Sequence, residues 1–484
     1  MNRLRSIFGI VSVFSLFLIV PSAVGAVDIG SGGMQITRQS PTAQIGGSLE
    51  FTLQLPGVVA DDDQIIVTVH EPLVSEAEFL RSVGGQGIDG VLASHTLDIT
   101  DLDPDPWGLV EIKFPLRSTG DEAIRVARPG VYPITIEMRT ANQELIGRIV
   151  THLIRLGAET SRRLPLALVV KIPNPVTNYG SPENAIALSD WLEVLAQHAN
   201  VPMSITLQPN LIDKTSNGIY VESFQNGDAQ HELVISPFIP VDEVALVDAG
   251  LNTELGVLLD MGSARLETLG NLAPPTLWVG HGSADAAQVD QRWQRGTREV
   301  IVEPSSLSPI PDKAPRGPVE LFGIDSNVRA LVVDQLATRK DHDTPASEAH
   351  RVLAHLATIA FAEQSIPLIV LDLSADTRDV NFASAFLAGL ADLDLAKPVP
   401  AGVAIAKPLL LKDGKLEQYQ LRTRMSSTTQ DFSGYREAQR HLIAFRSMIR
   451  DEDAAEYAQL SQDLLVSLSS ESSELDQRAL WEST

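Results

Sequence analysis

The stretch 128–175 decides the fold. It reads RPGVYPITIEMRTANQELIGRIVTHLIRLG (128–157), then AETSRRLP (158–165), then LALVVKIPNP (166–175). In the first piece, Val131, Ile134, Ile136 and Met138 fall on or near one face, with Thr135, Glu137 and Arg139 on the other. Period-two alternation predicts a strand with one buried and one wet face. Asn142 and Gln143 make a turn, and Ile146, Ile149, His152 and Ile154 lie on the returning strand of an antiparallel hairpin. Leu166–Ile172, by contrast, is apolar almost without a break, which predicts a strand covered on both faces by helices, as in a parallel sheet. The architecture is therefore expected to change at about Leu164. The polar connector Ala158–Arg163 predicts that the two sides fold separately.

Working outward toward the N-terminus, residues 31–157 read as an all-β, Ig-like sandwich. Strands are expected at Leu49–Leu55, Gln64–His70, His95–Ile99 and Leu109–Leu116, separated by turn signals such as Gly46-Gly47 and Asp103-Pro104-Asp105-Pro106. Ser75–Val83 reads as a helical insert. Gly85-Gln86-Gly87-Ile88-Asp89-Gly90 matches the spacing of a dinucleotide fingerprint, but it follows a helical segment and does not open one, so it reads as a loop.

Toward the C-terminus, residues 164–410 read as a (β/α) barrel-like α/β domain. Strands are expected at Leu166–Ile172, Met203–Leu207, Glu232–Ser236, Thr276–Gly280, Glu299–Glu303, Arg329–Val333, Ile366–Leu373 and Gly402–Ala406. Helices are expected at Asn184–His198, twice within Asp242–Gly270, and at Ala284–Arg295, Pro345–Gln364 and Asn381–Leu393. The proline-rich Ser305–Pro318 replaces one crossover with a rim loop. Residues 430–470 form a helical hairpin packed on the barrel, and 471–484 a Ser/Glu-rich flexible tail.

The 484 residues carry 37 Lys and Arg against 62 Asp and Glu, a net charge of −25. So acidic a chain is unsuited to nucleic acid or anionic lipid, whose phosphates require basic patches. Arg3 and Arg5, the apolar run Ile7–Val20 and the small residues Val24-Gly25-Ala26 follow the order of a secretory signal peptide over 1–26, cut after Ala26. No membrane span is expected after that cut, and the chain is expected to be secreted or extracytoplasmic. Absence of cysteine excludes disulfides and thiolate metal sites.

Catalytic groups of such barrels follow the C-terminal ends of strands. Those positions offer Asn174, Gln208, Pro237, His281, Pro304, Asp334, Asp372 and Asp376. Asp334 and Asp372 are the pair that a glycosidase would need, one carboxyl protonated and one ionised, with His281 as general base. Helix capping and loop support are the competing roles for both acids. Trp278, Asp285 and Glu303 are candidate ligand-binding residues beside His281. No metal and no cofactor is expected. Asp341-His342-Asp343 sits in a hydrophilic loop, and His350 and His355, five apart, point about 140° from one another around a helix.

GVYPITIEM (130–138), RIVTHLIRLG (148–157) and LPLALVVKIPNP (164–175), with APRGPVELFGIDSNVRALVVDQLA (314–337), EAHRVLAHLATIAFAEQSIPLIVLDLS (348–374) and FSGYREAQRHLIAFRSMI (432–449), resemble a family of exported cell-envelope proteins of unknown function in high-GC Gram-positive bacteria. The resemblance covers roughly residues 125–470. It implies a β domain followed by a deacetylase- or glycosidase-like (β/α) barrel and a cell-envelope role, and it implies no activity. Gln208-Pro209 stands where such barrels tend to carry an acid, and the further β domain and membrane anchor usual in the family are not found after 470. The functional expectation is a non-catalytic envelope protein that binds a cell-wall glycan or a protein partner. The alternative is a glycan-active hydrolase or deacetylase using the barrel-mouth carboxylates.

Overall fold

The computed structural model describes residues 33–469 apart from 45, 58, 117–122, 158–162, 173–181, 212–229, 281–283, 337–343, 363–366, 375–378, 424–430 and 449–453. For 182–188, 211 and 454 it describes the backbone alone. The leader 1–26, the tail 471–484, Asn174, His281, Asp376 and the 341–343 cluster lie outside the described residues.

The chain has mixed α/β content in several sheets. The first region contributes β1 (Gln35–Gln39), β2 (Ser48–Gln54), β3 (Gln64–His70), β4 (Val91–Asp98), β5 (Leu109–Pro115), β6 (Gly130–Arg139) and β7 (Leu145–Arg155). They form two antiparallel sheets, ordered β1-β2-β5 and β4-β3-β6-β7. Leu49, Phe51 and Leu53 of β2 meet Ile65, Val67 and Val69 of β3 and Tyr132, Ile134, Ile136 and Met138 of β6 in one core. Each set is spaced by two, so the pleat alone aims it at that core. Between β3 and β4 lies helix α1 (Glu76–Val83), capped by Ser75, whose Oγ accepts the Glu78 N–H at 3.2 Å. The glycine-rich turn that follows takes left-handed backbone at Gly85, Gly87 and Gly90 and leads from a helix into a strand, the reverse of a nucleotide-binding turn. Helix α2 (Ile99–Leu102) follows β4.

The second region alternates strands and helices. Its strands are β8 (Leu164–Lys171), β9 (Ser204–Thr206), β10 (Glu232–Leu233), β11 (Leu277–Val279), β12 (Glu299–Val302), β13 (Leu307–Ser308), β14 (Val319–Phe322), β15 (Asn327–Val332), β16 (Ile369–Asp372), β17 (Ala396–Val399), β18 (Leu411–Lys412), β19 (Lys415–Leu416) and β20 (Gln418–Leu421). Its helices are α3 (Pro182–Gln197), α4 (Glu243–Asp248), α5 (Asn252–Glu267), α6 (Ala286–Gln294), α7 (Pro345–Ala362), α8 (Val380–Asp392), α9 (Ala401–Ile405), α10 (Ser433–Arg446) and α11 (Ala454–Val466).

β8 is covered on both faces. Leu164, Leu166, Leu168, Val170 and Ile172 pack into a core shared with α7 and α8, while Ala167 and Val169 point the other way. That second core also takes Val279 of β11, Ile301 of β12, Leu331 of β15 and Val370 of β16, with Ala401, Ala404 and Ile405 of α9 against them. The inner faces of two sheets therefore meet. One is parallel, ordered β10-β9-β8-β16 with β17 beside the first half of β8; the other is ordered β11-β12-β15-β14-β20-β13.

The ladders do not close into a barrel: β10 and β11 end separate sheets, and a second seam lies at β15. Antiparallel β14 occupies the edge of β15 from Val319↔Ala330 to Phe322↔Asn327. β16 is reached past the end of that pairing, where the Asp334 N–H donates to the Val370 carbonyl at 2.7 Å. The proline-rich 305–318 segment, expected as a bare rim loop, includes β13 and delivers β14 to this edge.

A second correction concerns Gly402–Ala406, expected as the last strand, which lies mostly within helix α9. Pro400 precedes it, and its first amides are met by buried side chains: the Ala401 N–H donates to Ser204 Oγ at 2.8 Å and the Gly402 N–H to Glu232 Oε1 at 3.0 Å. These contacts satisfy orphan donors of the first turn, and periodicity cannot reveal them.

The hairpin β6–β7 departs from simple alternation as well. Its outer face is covered by α1 and α7, so Thr135 and His152 are buried polar residues there, while Thr151 on the inner face bonds Gln39 of β1. Val131, Ile154, Leu156 and Phe79 of the β region join the same hydrophobic cluster as Leu353 and Leu356 of α7. Burying one such side chain is worth about 1.5–3 kcal/mol. α10 and α11 pack elsewhere: Tyr435, Leu442 and Leu464 lie against Leu246, Leu255 and Leu258 of α4 and α5.

Candidate functional site

Asp334 follows β15, as its sequence position predicts, but it meets partners from three other segments. Its Oδ2 accepts from Arg316 Nε at 3.0 Å, and Arg316 Nη2 reaches Glu76 Oε1 at 2.5 Å. The same Glu76 oxygen accepts from His355 Nε2 at 2.9 Å, while Lys313 Nζ bonds Oε2 at 2.9 Å. The side chains of Glu76, Arg316, Asp334 and His355 are 13, 14, 11 and 3% exposed, so the cluster is sealed between α1, the 309–318 segment, β15 and α7. Burial pushes the Glu76 carboxyl up, yet its bonds to His355, Lys313 and Arg316 outweigh that and hold it far below the usual carboxylate range. Burial also raises the Asp334 carboxyl, and Arg316 returns only part of the shift. Burial disfavours the Arg316 cation, but the two acids overcome it and raise its pKa. This arrangement holds a domain contact together: the acid that a hydrolase would aim at substrate is bonded to an arginine.

Asp372 is engaged in a different place. Its Oδ1 accepts the Ser374 N–H at 2.8 Å and the Ser374 hydroxyl, and Ser374 Oγ accepts the Lys171 N–H at 2.8 Å, tying β16 to β8. No described hydrogen bond or ion pair joins Asp372 to Asp334. Trp278 is half-buried, with the Arg292 guanidinium 5.3 Å from its ring centroid, and Arg292 is bonded through Nε to Glu243 Oε2 at 2.7 Å. The tryptophan thus packs against α6. Glu303 lies just beyond β12, its Oε2 3.4 Å from Ser305 Oγ.

Asp285 does reach a cavity. An open hollow of about 590 Å³ is lined by Ala284, Asp285, Ser305, Ser306, Ser308, Gln420, Leu421, Arg422 and Thr423. It lies past the C-terminal ends of β11 and β12, the edge where parallel sheets present ligand sites. One wall is the N-terminus of α6, where a reciprocal capping box binds Asp285 Oδ1 to the Gln288 N–H at 2.9 Å and Gln288 Oε1 to the Asp285 N–H at 3.1 Å. The other wall is the ribbon β13–β20, paired Leu307↔Leu421 and Ser308↔Gln420 and continued by the Arg422 N–H to the Ser306 carbonyl at 2.8 Å. Leu307 and Leu421 face the core, which leaves Ser308, Gln420 and Arg422 on the face that lines the hollow, and Ser306 joins them from the 3-10 turn Pro304–Ser306.

The lining holds four hydroxyls, one amide, one guanidinium and one carboxylate already bonded to its own helix. Such a surface can hydrogen-bond a polyhydroxylated ligand, but it does not offer the acid pair of a glycosidase. Sequence reasoning found Asp285 and missed the rest, because Gln420–Thr423 lie more than a hundred residues from Ser305–Ser308 and their strand is four residues long. Glu76 and Arg316, 240 residues apart, were equally out of reach of spacing arguments.

Among the described residues, no group of three or more His, Asp and Glu side chains could hold a metal ion, and no helix is long and apolar enough to cross a membrane. Compared with protein-family models and with curated proteins, the chain matches none.

Proposed function

We propose that this is an exported cell-envelope protein that binds a glycan without cleaving it, at the hydroxyl-lined hollow beyond β11 and β12. In this reading an Ig-like β domain steadies an incompletely closed (β/α) barrel. The observation that carries it is the lining itself: Ser305, Ser306, Ser308, Thr423 and Gln420 offer alternating donors and acceptors, as sugar hydroxyls require. Support against hydrolysis comes from the acids, since Asp334 is paired with Arg316, Asp372 with Ser374 and Asp285 with its helix. The acidic composition and the leader-like first 26 residues favour a role outside the cytoplasm.

The test is calorimetric titration of the full chain with solubilised cell-wall polysaccharide, followed by an assay for new reducing ends. Binding without new ends is expected. Ser308→Trp, which fills the hollow from an exposed position, should abolish binding and leave the melting temperature unchanged. New reducing ends, or full binding by the tryptophan variant, would refute the reading.

A further inference from the structure

Two features of the hollow are unexplained by a neutral sugar. Ser306 is 1% exposed, and its Oγ has no hydrogen-bond partner among the described residues. An unsatisfied buried hydroxyl costs about 1–3 kcal/mol unless a ligand or water meets it. Beside it, Arg422 makes no ion pair among the described residues, and its side-chain contact is a long 3.4 Å bond from Nη1 to the Ser305 carbonyl. In a chain with 62 acids to 37 bases, a pocket arginine left without an acid is notable.

The register brings the two together. Ser306 closes a 3-10 turn (Pro304–Ser306), and the Arg422 N–H bonds its carbonyl just beyond the Leu307↔Leu421 pair, so the two residues are neighbours at the end of the ribbon. Both line the hollow. An exposed guanidinium fork and a buried, unpartnered hydroxyl on the lining of one hollow supply three donors, a set suited to a carboxylate or phosphate group. The nearby acid, Asp285, is directed to the Gln288 N–H at the positive end of α6, which offsets its charge.

We infer that the ligand is an anionic glycan, whose ring hydroxyls are held by Ser305, Ser308 and Thr423 while Arg422 and Ser306 take its anionic oxygens. This inference rests on the reading of the hollow as a glycan site. The experiment is calorimetric titration of the full chain with three probes: an oligogalacturonate, a neutral galactan oligomer of equal length, and a hexose phosphate. Wild type should bind at least one anionic probe tenfold or more tighter than the neutral oligomer, and the margin should shrink with salt. Tight binding of the uronate identifies a carboxylate and of the hexose phosphate a phosphate; either supports the inference. Arg422→Gln, an exposed substitution that folding tolerates, should bring the anionic probe down to the affinity of the neutral one. Ser306→Ala should weaken the anionic probe about five- to tenfold. Equal affinity for neutral and anionic probes would overturn the anionic assignment and leave glycan binding standing. No binding to any of the three would overturn both.

Discussion

His350 is buried where α7 meets the β region, and its Nε2 donates to the His152 carbonyl at 2.6 Å, close to the Gln39 amide at 3.0 Å. Burial pushes its pKa down from 6.5 to about 4, with the carbonyl bond recovering little of the shift. Above pH 6.5 the imidazole is neutral both folded and unfolded, and the contact contributes fully. Between 6.5 and about 4 the unfolded chain takes up a proton that the folded chain refuses, so stability falls by up to about 1.4 kcal/mol per pH unit. Below about 4 both states are protonated and the loss levels off. Asp334, whose pKa burial raises, works in the opposite direction, and Glu76, whose pKa is lowered, adds its own loss below 4.5. Urea midpoints of wild type and His350→Gln, measured from pH 7.5 to 4.5, separate these contributions. The variant should lack the part of the slope that starts near 6.5, and parallel curves would show that His350 is not sealed. Sequence placed His350 and His355 on one helix about 140° apart, but their partners on β7 and α1 were beyond any local pattern.

Helix α1 shows how an element acquires a role that its own sequence does not announce. Glu76, Phe79 and Ser82, spaced by three, make one face, and all three are turned to the interface. Phe79 lies between the rings of His152 and His355 with centroids 4.7 Å away on each side, and Ser82 Oγ is 2.9 Å from His152 Nε2. Replacing Glu76 by Gln removes the charge that Arg316 and Lys313 meet and leaves a buried arginine with one acid. A loss of about 3 kcal/mol is expected, since breaking a buried pair from one side is far costlier than breaking an exposed one. Urea unfolding at pH 7 checks it, and a change below about 0.5 kcal/mol would mean that water screens the cluster. The helix itself was legible as an insert over Ser75–Val83, as was β8 from its unbroken apolar run. The hairpin β6–β7 was legible as a hairpin but not in its burial: alternation marks a polar face, and a polar face can lie against solvent or against a polar partner. α9 was misread because Gly402–Ala406 is short and apolar, and what fixes it as a helix is Glu232 and Ser204 from distant strands.

On the scale of the whole molecule, the β region and the α/β region share a hydrophobic cluster, a buried ion network and a histidine-lined seam. The polar connector at 158–163 suggested two separable units, but connector polarity carries no information about what packs on either side of it. Seven of the eight expected strands followed from the alternation of apolar runs with helical periods, whereas the eighth is helix α9 and β17 was not foreseen. Closure did not, because β14, which directly follows the proline-rich 305–318 segment, takes the edge of β15, and β10 and β11 end separate sheets. That same segment links the two places of interest: it leaves the hollow at Ser305–Ser308 and reaches the Glu76 cluster through Lys313 and Arg316. The β region thus anchors the far end of a segment that lines the hollow. The most direct measurement is a crystal structure of the full chain grown with an acidic oligosaccharide. An intact sugar is expected between the N-terminus of α6 and the β13–β20 ribbon, with its anionic group on Arg422 and Ser306. A cleaved sugar there, or a sugar bound beside Asp334 and Asp372 with the hollow empty, would contradict it.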